Sequence, residues 1–255
     1  MSNFYVGYLP KVPAALAHFL RRVILGLSLL VVAVALVLVS AQHPFAKSTF
    51  EYGKLRGFEG VVVPQPYPTL WVTYPGETAQ PEKYSQYLLV APGKYGTENL
   101  VAKFAGHLVR LQGQLINRDG QSMVEIVPDS IDLVPSSAAV SEATRDLGPV
   151  TVTGEIVDSK CYLGVMNPGS GKVHRDCAAR CLSGGIPPIF ISTNGDTPDG
   201  REQFVLVGPD GGALAHDALR DFIAEPITLH AELLQRGDLR FLQINPKTLR
   251  HASNN

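Results

Sequence analysis

Gln86-Tyr87-Leu88-Leu89-Val90-Ala91-Pro92 comes back in the second half of the chain as Gln203-Phe204-Val205-Leu206-Val207-Gly208-Pro209. Each run is a short β-type segment stopped by a turn that contains proline. The agreement extends in both directions. Downstream of each run lies a segment fit for a short helix, around residues 97–104 and 215–223, and then a hairpin. The first hairpin runs over residues 109–116, turns at Arg118-Asp119-Gly120 and returns over 123–127. The second runs over 227–234, turns at Arg236-Gly237-Asp238 and returns over 239–244. Asp-Gly and Gly-Asp supply the positive φ that tight hairpin turns require. Upstream, Phe58-Glu59-Gly60-Val61 parallels Val152-Thr153-Gly154-Glu155-Ile156. A glycine inside a strand marks a bend or a close backbone approach, as at a barrel corner.

Each unit therefore reads strand, strand, strand, helix, strand, strand. Five strands with a helix between the third and fourth is the order of an OB-fold barrel. The expected fold is mainly β: an N-terminal transmembrane helix, then two tandem OB-like five-stranded barrels. The expected divisions are a tail over 1–22, a membrane helix over 23–41, a first barrel over 42–134, a linker over 135–149 rich in Ser and Ala, and a second barrel over 150–255. The proline-rich stretch 65–81 reads as loop interrupted by a strand over 70–74.

Residues 23–41, VILGLSLLVVAVALVLVSA, carry no charge. As a helix they reach about the thickness of a bilayer core at ~1.5 Å per residue. Small residues at Val39-Ser40-Ala41 also suit a cleavage site, but the apolar run is longer than a signal peptide's and the tail before it is long. We read an uncleaved signal anchor in contact with lipid. Residues 1–42 hold Lys11, Arg21 and Arg22 and no acid, whereas the rest holds 19 bases against 23 acids. That asymmetry predicts a single-pass protein of a bacterial inner membrane, with its N-terminus cytoplasmic and its body periplasmic. The acidic body, a single Trp and the lack of basic residues interleaved with aromatics argue against a nucleic-acid partner, although OB barrels often bind oligonucleotides.

The repeats also locate an insertion. Gly60 to Tyr87 is 27 positions and Gly154 to Phe204 is 50, so the second unit carries 23 extra residues between its first and third strands. Every cysteine of the chain, Cys161, Cys177 and Cys181, falls in that interval. Residues 167–171 read as a turn and 173–182 as a short helix ended by Ser183-Gly184-Gly185. His174, Cys177 and Cys181 then share one helix face, and a loop bringing Cys161 to it assembles three sulfurs and an imidazole. Such a set suits Zn²⁺, and soft thiolates also suit Cu(I) or an iron–sulfur centre. Outside the cytoplasm the same cysteines could pair, with Cys161 bonded to Cys177 or Cys181 and stapling the loop. Covalent haem attachment lacks its C-x2-C-H run, and Gly169-Ser170-Gly171-Lys172 lacks the flanking residues of a phosphate loop. No nucleophile or paired-carboxylate constellation of an enzyme stands out.

The run Gly154-Glu155-Ile156-Val157-Asp158-x2-Cys161, followed by His174-x2-Cys177-Ala178-x2-Cys181-x2-Gly184-Gly185-x-Pro187, resembles a group of uncharacterised bacterial extracytoplasmic proteins. They share a VDxxC…HxxCAxxC…GxP motif before a β-rich, OB-like tail. The resemblance spans about residues 150–245, implies export and an OB-like fold, and brings no activity with it. Two functions are expected on this footing. One is a membrane-tethered accessory protein that holds a metal or redox thiols for a membrane or periplasmic oxidoreductase. The other is a structural subunit whose cysteines form a stabilising disulfide.

Overall fold

The computed structural model describes residues 12–41, 48–73, 84–135, 140, 143–193 and 202–251. Two compact units divide the chain, residues 1–45 and 46–255. The first contains helix α1, Ala14–Ala41, which begins nine residues before the charge-free run. None of its residues is buried, and it is long and apolar enough to cross a membrane. Residues 23–41 of it carry no charge and are exposed throughout, an apolar surface suited to lipid.

The second unit holds both barrels. Strands β1 (Arg56–Val63), β2 (Thr69–Thr73), β3 (Tyr84–Ala91), β4 (Leu108–Arg118) and β5 (Gln121–Ile126) make the first. β1 pairs β2, β2 pairs β3, β3 runs parallel to β5, β5 pairs β4, and β4 returns to β1, which closes the ring. The second barrel is β6 (Arg145–Asp158), β7 (Pro188–Ser192), β8 (Glu202–Val207), β9 (Ile227–Arg236) and β10 (Leu239–Gln243). It closes in the matching order β6-β7-β8-β10-β9, again with the third and fifth strands parallel. This 1-2-3-5-4 order is that of the OB-fold, and the duplicated barrel follows from the repeat. β6 starts at Arg145, inside the segment expected as linker.

The matched glycines have matched work. A β-carbon on Gly60 would lie 2.5 Å from the Trp71 carbonyl oxygen, and one on Gly154 would lie 1.9 Å from that of Ile191. In both barrels the first strand can bend across the second only without a side chain there. At the first hairpin, Asp119 and Gly120 have φ of 50° and 82°, as a tight two-residue turn needs. Between the third and fourth strands the first barrel has helix α2 (Glu98–Val101) and a further turn through Phe104, whereas the second has only 3₁₀ turns, His216–Ala218 and Arg220–Phe222.

Alternate residues of the strands fill each barrel. Val62, Leu70, Leu89, Leu111 and Val124 pack inside the first, and Ile156, Phe190, Phe204, Leu206 and Leu242 inside the second. Where the barrels meet, the intervening residues are apolar as well, and they pack against one another. Leu88, Val90, Ile116 and Met123 of the first barrel share one core with Val157, Ile189, Ile191, Val205, Val207 and Phe241 of the second. Strand segments at this junction are thus buried on both sides, which explains continuous runs such as Leu88-Leu89-Val90 where a half-exposed strand would alternate. The second and third strands of an OB barrel carry its usual ligand face. In the second barrel Ile189, Ile191, Val205 and Val207 turn that face into the shared core. In the first, the Arg236–Asp238 turn lies over it: Arg236 stacks above Trp71, and Asp238 accepts the Gln86 N–H at 3.2 Å.

Candidate functional site: three sulfurs between two barrels

The insertion falls between the first and second strands of the second barrel. Residues 159–187 occupy a connection that is residues 64–68 in the first. It leaves β6 through a turn in which the Asp158 carboxylate accepts the Cys161 N–H at 2.8 Å. An irregular helical turn, Cys161–Val165, follows, and then a 3₁₀ turn, Lys172–His174, leading into helix α3, Arg175–Ser183. The helix stops where the sequence predicts: Gly185 has φ 91°, and the Ile186 N–H returns to the Cys181 carbonyl at 3.2 Å. Ala178 and Leu182 pack α3 onto the second barrel's core, which turns Cys177 and Cys181 the other way, toward Cys161.

The three sulfurs converge. Cys161 Sγ is 3.8 Å from Cys177 Sγ and 3.9 Å from Cys181 Sγ, and all three atoms lie within 4.8 Å of one another. They are free thiols, at separations well beyond the ~2.05 Å of an S–S bond. Cys161 and Cys181 are buried and Cys177 is half-buried, so the cluster has one accessible edge. Three sulfurs so placed could hold a metal ion.

His174 groups with one of the three sulfurs, that of Cys161, and not with all three. It is buried, and its Nε2 lies 3.0 Å from Asp158 Oδ2. Asp158, Cys161 and His174 form a second close group, with donor atoms within 4.8 Å of one another. Helical spacing puts His174 on the cysteine face, but the buried carboxylate at the end of β6 draws the ring to itself. Asp158 thus ties the start of α3, through His174, to the backbone of Cys161. Its position three residues before Cys161 was a readable sign of such a turn.

The sequence reading does not find Lys94. It comes from the first barrel, in the turn after β3, and its Nζ donates to Cys177 Sγ at 2.8 Å and to Cys181 Sγ at 3.6 Å. The hydrogen bond to Cys177 holds the Lys94 ammonium above the usual lysine range. Within the cluster, the hydrogen bond between Cys161 and Cys181 and the burial of Cys161 push the Cys161 thiol up. Cys181 is lowered, chiefly as the acceptor of that bond and also by the charge of Lys94.

No protein-family model and no curated protein matches the chain. Among solved structures it overlaps a deletion mutant of the single-stranded DNA binding protein from Thermus aquaticus. The sequence identity is 10%, over 82% of this chain and 90% of that one, with a TM-score of 0.23.

Proposed function

We propose that this protein is a membrane-anchored metal-binding protein that holds one thiophilic ion on Cys161, Cys177 and Cys181. The sulfur spacing carries the reading. Two sulfurs bound at ~2.3 Å to one tetrahedral ion stand ~3.8 Å apart, and Cys161 Sγ lies 3.8 and 3.9 Å from the other two sulfurs. Thiolate donors select Zn²⁺ and Cu(I) ahead of hard ions. Asp158 and His174 would supply the outer hydrogen bonds that fix a ligand's direction. The resemblance of the VDxxC…HxxCAxxC…GxP motif to exported proteins, the basic tail before α1 and the acidic body support an extracytoplasmic site tethered to the inner membrane.

The test uses the full-length protein in detergent, reduced, reloaded with Zn²⁺ or Cu(I) and analysed for metal. One ion per chain is expected, lost in each of Cys161→Ser, Cys177→Ser and Cys181→Ser. His174→Ala should retain the ion at about 10–100-fold weaker affinity, as loss of an outer partner does. A Cys161–Cys177 or Cys161–Cys181 disulfide in protein isolated from its native membrane, with no metal taken up after reduction, would overturn the proposal. The tether is tested separately. The protein should resist carbonate extraction, and a fragment beginning at Gln42 would show that α1 is cleaved.

A further inference from the structure

The first barrel contains no cysteine, yet it reaches the sulfur cluster, and the contact is held from several sides. Lys94 sits in a tight turn whose ends pair Ala91 with Tyr95 and Val90 with Gly96. The Lys94 carbonyl rests on Gly184, where a β-carbon would come within 1.8 Å of it. The Gly96 N–H donates to the Gly184 carbonyl at 2.9 Å, and a β-carbon on Gly96 would lie 2.3 Å from the Gly185 oxygen. Behind the turn, the buried Lys160 ammonium donates to the carbonyls of Ala91 at 2.8 Å and Gly93 at 2.7 Å and pairs with Glu125. The Gly184-Gly185 pair of the motif thus serves as a seat for this turn, and the residue before Cys161 clamps it from below.

A turn needed only to join the barrels would be complete without a side chain aimed at sulfur. Lys94 instead extends from it to two of the three ligands. We infer that Lys94 is a positioning residue of the metal site, hydrogen-bonding the metal-bound sulfurs of Cys177 and Cys181, so that the site is built jointly by both barrels. This rests on the metal reading above. A metal-bound thiolate keeps lone pairs that accept N–H donors. Three thiolates around a divalent ion also leave one negative charge, which an ammonium at 2.8 Å offsets in a partly dry site.

The test again uses the full-length protein in detergent, with Co²⁺ as the probe. Wild type should show a sulfur-to-cobalt charge-transfer band. Lys94→Met should weaken Co²⁺ binding by about 10–100-fold, the range for lost outer-sphere partners. The band should also move to lower energy, because sulfur lone pairs rise when a donor is withdrawn. Lys94→Arg should recover much of both, and Lys94→Gln, a donor without charge, should fall between. A purely structural Lys94 would change melting temperature and leave the band energy alone. Lys94→Met with wild-type affinity and band energy, or Lys94→Arg no better than Lys94→Met, would overturn the inference while leaving the metal reading intact. If wild type shows no sulfur-to-cobalt band, both fall.

Discussion

Lys160→Met tests whether the two barrels are held together by a buried charge. Lys160 is 2% exposed, and its ammonium serves Glu125 and the carbonyls of Ala91 and Gly93. Methionine fills much the same volume and supplies no donor. Among the described residues Glu125 then keeps the 3.3 Å contact from Gln114, and the Ala91 and Gly93 carbonyls each lose a donor. Breaking a buried pair from one side costs about 3–5 kcal/mol, mostly because the stranded charge stays desolvated. In a body of this size each kcal/mol moves the melting temperature by about 2–4 °C, so a fall of about 6–20 °C is expected. The assay is thermal unfolding of the full-length, metal-free protein in detergent, followed by circular dichroism of the β signal. The double variant Lys160→Met/Glu125→Leu removes both charges and should regain most of the loss, as apolar replacements of buried pairs do. A fall below about 3 °C in the single variant, or a double variant no more stable than the single, would refute the reasoning.

Two further outcomes follow from the geometry. Gly60→Ala and Gly154→Ala should each destabilise by about 1–3 kcal/mol through forced overlap, whereas Gly57→Ala in the same strand as Gly60, with nothing within 4 Å of its β-carbon, should shift the denaturation midpoint little. Tyr67 is pushed up to about 12 by burial, while its hydroxyl donates to the Leu206 carbonyl and accepts the Leu214 N–H. The folded state therefore keeps a proton that the unfolded chain gives up from about pH 10. The stability it contributes is complete below that pH and declines as pH rises toward 12. In Tyr67→Phe this alkaline decline should be shallower, measured by denaturant unfolding between pH 9 and 12.

Much of the architecture was legible because the chain states it twice. Asp119-Gly120 announces a hairpin by backbone chemistry alone, and Gly60 and Gly154 mark equivalent bends because a neighbouring carbonyl leaves no room for a β-carbon. The helix carrying Cys177 and Cys181 was readable from its glycine stop. The docking of the barrels is written in Leu88-Leu89-Val90 and Val205-Leu206-Val207, whose lack of alternation means burial on both faces. Lys94 left no such trace. It stands 83 residues from Cys177, in a turn typical of any surface loop, and only the packing of one barrel on the other brings it to sulfur. His174 illustrates the limit of helical periodicity. Spacing fixes the side of a helix, but the direction of a ring is settled by the strongest partner within reach, here Asp158.

The shared core has a consequence for how this molecule can be dissected. A fragment ending near residue 134 would bare Leu88, Val90, Ile116 and Met123, and one starting near residue 143 would bare Ile189, Ile191, Val205 and Phe241. Contiguous apolar patches of that kind drive self-association. During synthesis the earlier half must therefore wait, sticky side out, until the later half arrives to cover it. The interval is a window for aggregation or chaperone capture that a chain of independent beads would not have.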